Sequence, residues 1–187
     1  MNKSKILSYL FSINAIKIDP NNLVTLSSGV KSPIYVNNRL ITSYPDVREY
    51  IYNEMVNLLL DTFDEPDIIA GVSTGGISHG YAISNELRLP FIYVRSEPKS
   101  YGLNKQIEGE ISPGKSVVVV EDTIFSGESS LKASKILKDS GLDVKGIISI
   151  FSYNDSFISL VNFEDIINSG KLSLENIKLL KEWKSKI

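Results

Sequence analysis

Two adjacent carboxylates stand at the end of an apolar run. Val117-Val118-Val119-Val120 leads straight into Glu121-Asp122, and Thr123-Ile124-Phe125-Ser126-Gly127-Glu128-Ser129-Ser130 follows. Four β-branched residues predict a buried strand over 117–120. The small and hydroxyl residues after the acids predict a loop that opens a helix over 129–140, ended by Gly141. Successive backbone N–H groups in such a turn, at a helix start, make an anion site without any lysine. Thr123, Ser126, Ser129 and Ser130 add hydroxyl donors. The acids repel an anion, but they accept hydrogen bonds from sugar hydroxyls. They also stabilise positive charge on a ring carbon that is losing its leaving group. A sugar phosphate is a ligand that needs both halves. The plainer reading is a strand and a capped helix, with acids placed for the helix dipole.

These residues need a scaffold, and the rest of the chain supplies its outline. Ile68-Ile69-Ala70-Gly71-Val72 reads as a buried strand, followed by a glycine-rich turn and a helix near 77–88. Phe91-Ile92-Tyr93-Val94 and Lys145–Phe151 read as further strands, and Ser156–Val161 as a last one. Alternating strands and helices imply right-handed crossovers and a mostly parallel twisted sheet flanked by helices, an α/β class. In such sheets the ligand sits beyond the carboxyl ends of the strands. Ahead of this core, residues 2–13 read as a helix, and 23–42 as a short β-rich unit. Tyr44-Pro45 opens a helix over 46–62, and 173–184 reads as a terminal helix. The expected division is an N-terminal hood over 1–42 and a core over 43–187. The polar, glycine-bearing stretch 95–113 has no clear period and is long for a connection, which marks it as a candidate lid.

Composition narrows the function. The net charge of −2 is spread over interspersed acids and bases, so no basic face for nucleic acid is expected. No apolar stretch approaches the length of a membrane span. The N-terminal apolar run is broken by Ser8 and Ser12, which favours an amphipathic helix over a signal peptide. There is no cysteine, and the single histidine, His79, has no companion ligand. Disulfides and thiolate chemistry are excluded, and no side chain is assigned to a metal.

The segment Val117–Ser130 resembles the phosphoribosyl pyrophosphate signature of the type I phosphoribosyltransferases. Leu26-Ser27-Ser28-Gly29-Val30-Lys31-Ser32-Pro33-Ile34-Tyr35, with Asn37-Asn38-Arg39, is similar to the N-terminal substrate segment of the orotate phosphoribosyltransferases. Gly71–His79 resembles their pyrophosphate loop. Tyr93–Lys99, continuing to Gln106-Ile107-Glu108-Gly109, resembles their mobile catalytic loop. The resemblance spans nearly the whole chain, in order. It implies the type I phosphoribosyltransferase fold and transfer of a phosphoribosyl group from phosphoribosyl pyrophosphate to orotate. It also implies Mg2+ held mainly by substrate oxygens and water, a homodimer whose lid crosses the interface, and a cytoplasmic setting.

The same resemblance distributes roles. Glu121 and Asp122 hold the ribose hydroxyls; Thr123, Ile124, Phe125, Ser126, Gly127, Glu128 and Ser129 hold the 5′-phosphate. Ser73, Thr74, Gly75 and Gly76 approach pyrophosphate by backbone, in a turn that in the family carries a cis peptide. Arg95 and Lys99 neutralise pyrophosphate, the first as a planar fork and the second as a point charge. Lys31 is the cation for the orotate carboxylate, with backbone groups of Ile34 and Tyr35 on the pyrimidine edge. Several positions depart from the family. Tyr101 stands where a lid histidine is usual, and Ser96 and Glu97 leave the lid less positive, with Lys105 a partial compensation. Phe125 and Glu128 replace the usual threonine and glycine. Two alternatives stay open: transfer to another base, and a non-catalytic sensor of phosphoribosyl pyrophosphate.

Overall fold

A computed structural model describes residues 1–26, 29–97 and 106–187. Helix α1 (Lys3–Ser12) is capped by the Asn2 side chain and buries Ile6, Leu7 and Leu10. Short strands follow: β1 (Ile16–Ile18), β2 (Val24–Thr25), β3 (Lys31–Ser32) and β4 (Ile34–Val36). β1 pairs antiparallel with β4, and β2 with β3, as two separate ribbons. A 3-10 turn (Asn38–Ser43) leads to α2 (Pro45–Thr62), where Pro45 takes the first turn that needs no donor.

The core alternates as its apolar runs predict: β5 (Ile68–Val72), α3 (Gly75–Leu87), β6 (Phe91–Val94), β7 (Ile107–Glu108), β8 (Ser116–Ile124), α4 (Glu128–Asp139), β9 (Asp143–Ser152) and β10 (Ile158–Asn162). Helices α5 (Phe163–Ile167) and α6 (Leu174–Lys184) close the chain. The six-stranded sheet runs β10-β9-β8-β5-β6-β7. All its pairs are parallel except β6 with β7, an antiparallel edge inside the stretch that has no sequence period. Alternate residues of the buried strands feed two faces. Val118 and Val120 join Ile83 of α3 and the helices α1, α2, α5 and α6. Val117 and Val119 pack with Ala133 and Leu137 of α4 on the other face.

Two expectations shift. The strand expected over 117–120 continues to Ile124, because β9 keeps pairing with it through Thr123 and Ile124. Thr123 and Ile124 are therefore strand residues rather than loop. β1 and β7, of three and two residues, are too short for a sequence period to mark them.

Candidate active site

From β5 the chain moves outward to β6, then returns through β8 to the other side of β5. The reversal lies between β5 and β8, and that is where open sheets form their ligand crevice. Pairing of β5 with β8 ends at Gly71 and Val120, whereas β8 stays paired with β9 as far as Ile124. Glu121 and Asp122 therefore emerge just where the sheet splits.

A cavity of about 450 Å3 occupies the split. Its floor and one wall are Glu121, Asp122 and the continuous run Thr123, Ile124, Phe125, Ser126, Gly127, Glu128, Ser129 and Ser130. Ser73, Thr74 and Gly75 form the wall from β5, and the Ser73–Thr74 peptide is cis. Thr25, Leu26, Tyr35, Val36 and Arg39 close the opposite end, with Tyr153 beside Phe125. Among the described residues, no partner takes the backbone N–H groups of Phe125, Ser126, Gly127 or Ser129. The left-handed turn at Gly127, φ 86°, exposes these amides at the start of α4.

The two acids differ. Glu121 is buried, and its Oε1 accepts the Asp122 backbone N–H at 3.0 Å. Burial first, and the neighbouring Asp122 second, push its carboxyl well above the usual range. The Asp122 carboxylate is more open and faces Arg39 Nε across 3.9 Å. Asn38 supports this stretch: its buried Nδ2 donates to the Asp122 carbonyl at 2.8 Å and to Thr123 Oγ1 at 3.0 Å.

The other expected residues fall in several places. Arg95 lines a neighbouring cavity of about 250 Å3, which shares Ser73, Ser126, Glu128 and Ser129 with the first. Its guanidinium lies 3.8 Å from Glu108. Tyr35 is in the wall, and its hydroxyl receives Arg39 Nη2 at 3.4 Å. Ile34 is fully buried; its N–H donates to Ser32 Oγ, and its carbonyl accepts from Ser32 Oγ and from the Tyr153 hydroxyl. Lys31 stands one contact behind the wall, with Nζ on Thr25 Oγ1 at 2.8 Å. Gly76 sits against the Val120 carbonyl, where it lets α3 approach β8. Lys99, Tyr101 and Lys105 lie outside the described residues, as do Ser27 and Ser28. His79 is a core residue: Nδ1 meets the Tyr52 hydroxyl at 3.1 Å, and burial lowers its pKa to about 4.

The sequence leaves Arg39 open between a substrate ligand and a structural ion pair, and it gives Asn38, Thr25 and Tyr153 no role of their own. The signal for Tyr153 was available: it follows the carboxyl end of β9, at the rim where a parallel sheet presents its ligand groups. Asn37-Asn38-Arg39 form a polar run directly after the apolar β4, another sign of a rim position.

The donor set suits a hard cation shared with a ligand. Carboxylate and hydroxyl oxygens converge here without sulfur or an exposed imidazole, and magnesium prefers oxygen ligands and retained water.

Comparison with known proteins agrees with this geometry. The phosphoribosyl transferase domain family matches residues 43–156. An orotate phosphoribosyltransferase of Staphylococcus haemolyticus is 41% identical, over 98% of both chains. One from Porphyromonas gingivalis is 38% identical, over 96% of this chain and 93% of that one. Among solved structures, the orotate phosphoribosyltransferase of Aeropyrum pernix superposes with a TM-score of 0.75 at 22% identity, covering 89% of this chain and 97% of that one. The UMP synthase of Leishmania donovani reaches 0.83 at 23% identity, covering all of this chain and 43% of that longer one. The chain belongs to the phosphoribosyltransferase family, among the orotate phosphoribosyltransferases.

Proposed function

We propose that the chain transfers the phosphoribosyl group of phosphoribosyl pyrophosphate to orotate, forming orotidine 5′-monophosphate and pyrophosphate in pyrimidine nucleotide synthesis. One observation carries the reading: two adjacent acids and the unpartnered amides of Phe125, Ser126, Gly127 and Ser129 border a single cavity at the switch point of the sheet. The names of the full-length relatives select the acceptor base.

In this reading the amides of Phe125–Ser129 bind the 5′-phosphate, while Asp122 and Glu121 accept the ribose hydroxyls. Ser73–Gly75 admit pyrophosphate close to backbone. A pyrimidine ring nitrogen gives up its N–H proton and bonds to C1 as the C1–oxygen bond breaks; pyrophosphate leaves with the electron pair of that bond, and the proton passes to the leaving group or to water. Positive charge grows on the ribose and negative charge on the leaving group. Asp122 faces the first, and Arg95 with Lys99 answers the second. Such preorganised electrostatics are the largest catalytic term in many enzymes. Mg2+ would be held mainly by substrate oxygens and water, with the Asp122 carboxylate available to it, and would supply charge neutralisation for the leaving group. Tyr101 counts among the catalytic residues, with a hydroxyl able to donate a hydrogen bond. Residues 1–42 act as a hood over orotate, with Lys31 toward its carboxylate. The active form is a cytoplasmic homodimer whose lid serves the partner's site.

The test mixes purified protein with phosphoribosyl pyrophosphate, Mg2+ and a panel of bases, and follows pyrophosphate release. Turnover with orotate alone supports the reading. Turnover with another base, or donor binding without turnover, overturns it.

A further inference from the structure

Helix α6 reaches the N-terminal strands through one side chain. Trp183 Nε1 donates to the Lys31 carbonyl at 2.7 Å. An indole has a single donor, so this bond uses all of its polar capacity. The ring is further oriented by Tyr153, at 6.0 Å and 70°, and by Phe163 at 5.9 Å. Lys184, the next residue, donates to the Tyr153 carbonyl, and the Tyr153 hydroxyl donates to the Ile34 carbonyl at 3.3 Å. The end of the chain thus holds β3 directly and β4 through Tyr153.

What is held is fragile by itself. β2 and β3 contribute two residues each to a ribbon that, among the described residues, pairs with no other strand. A two-stranded ribbon of that size has little stability of its own. Yet it carries Thr25 and Leu26 to the cavity wall and Lys31 onto Thr25. The opposite end of the cavity is committed to the acids and the amide cradle, so the hood end is what remains for the acceptor base.

We infer that Trp183 is a positioning residue for the acceptor end: through the Lys31 carbonyl it fixes the β2–β3 ribbon, and with it the affinity for the base. This rests on the transferase reading above. Ring packing alone would be served by phenylalanine; the N–H bond is what phenylalanine lacks.

The experiment uses the full chain and compares wild type, Trp183→Phe, Lys31→Ala and the double variant. Trp183→Phe is expected to raise the KM for orotate at least about fivefold, with the KM for phosphoribosyl pyrophosphate within about twofold. The melting temperature should stay within a few degrees. The double variant should bind orotate worse than Lys31→Ala, because alanine keeps the backbone carbonyl through which Trp183 holds the ribbon. Trp183 is the sole tryptophan, so its emission should also respond to orotate in the wild type. An unchanged orotate KM in Trp183→Phe overturns the inference. So does a parallel rise in both KM values that tracks lost stability, since that marks general packing. If wild type shows no orotate turnover, the transferase reading falls and takes this inference with it. Turnover in wild type with an unaffected variant removes only the role of Trp183.

Discussion

Gly75 and the Asp122 carboxylate touch so closely that a Cβ on Gly75 would fall inside van der Waals contact with Asp122 Oδ1. The next residue, Gly76, meets a different neighbour, the backbone carbonyl of Val120. Two adjacent glycines therefore carry separable constraints. At Gly75 the obstacle is the end of a side chain, which can rotate away. At Gly76 it is the backbone of a central strand, which cannot move without lifting α3 from the sheet.

Gly75→Ala should accordingly be a kinetic variant. Turning Asp122 away from the cavity is expected to lower kcat/KM at least tenfold, which is about 1.4 kcal/mol of transition-state stabilisation. Its melting temperature should stay close to wild type. Gly76→Ala should be a stability variant, losing about 1–3 kcal/mol through overpacking. Thermal melts and steady-state kinetics on both variants decide the matter; the reverse assignment would refute the geometry.

Much of this arrangement was legible in the residues, and some was not. The valine run, the two acids and the small residues after them define the strand, the rim and the cradle by local chemistry alone. The end of the strand did not show, because Glu121, Asp122 and Thr123 look like loop residues and only pairing with β9 keeps them extended. The same limit hides Asn38 and Trp183. Each acts across the fold, one 84 residues from its acceptor and the other 152, and no local period encodes such a contact. Lys31 was visible as a charge, but what holds its backbone lies at the far end of the chain.

Glu121 should make stability depend on pH in a particular direction. Its folded pKa is raised by burial and by Asp122. The folded state therefore holds this proton more tightly than the unfolded chain does. The resulting contribution is fully present below the unfolded value of 4.5 and is lost as pH rises through the raised folded value. Glu121→Gln, neutral at every pH, should flatten that alkaline decline. Denaturant melts of both proteins across pH measure it; superimposable pH profiles would show that Glu121 is not the group responsible.

His79 should act in the opposite sense. Burial lowers its pKa from 6.5 to about 4. The unfolded chain takes up a proton in that interval and the folded one does not. Stability is then complete above pH 6.5 and falls by up to about 3 kcal/mol as pH drops through the folded value. His79→Gln keeps a partner for Tyr52 and should shrink that acid loss. As the only histidine, His79 also gives one imidazole signal by NMR, expected to stay neutral well below pH 6. An ordinary titration near 6.5 would contradict its buried placement.

Glu128 sets stability against donor affinity. It occupies the first turn of α4, where an acid favours the helix dipole by about 0.3–1 kcal/mol. It also lines both cavities beside the unpartnered amides, where a phosphate dianion would be repelled. Across water, a like charge roughly 4–8 Å away costs on the order of 0.5–1 kcal/mol of binding. Glu128→Gln keeps the shape and removes the charge. It should lower the KM for phosphoribosyl pyrophosphate about threefold at low salt, while stability falls by about 0.5 kcal/mol. Raising ionic strength should shrink the gap in KM, because the repulsion crosses solvent. Steady-state kinetics at two salt concentrations test both parts. Equal KM values at low salt would mean that the carboxylate points away from the bound phosphate.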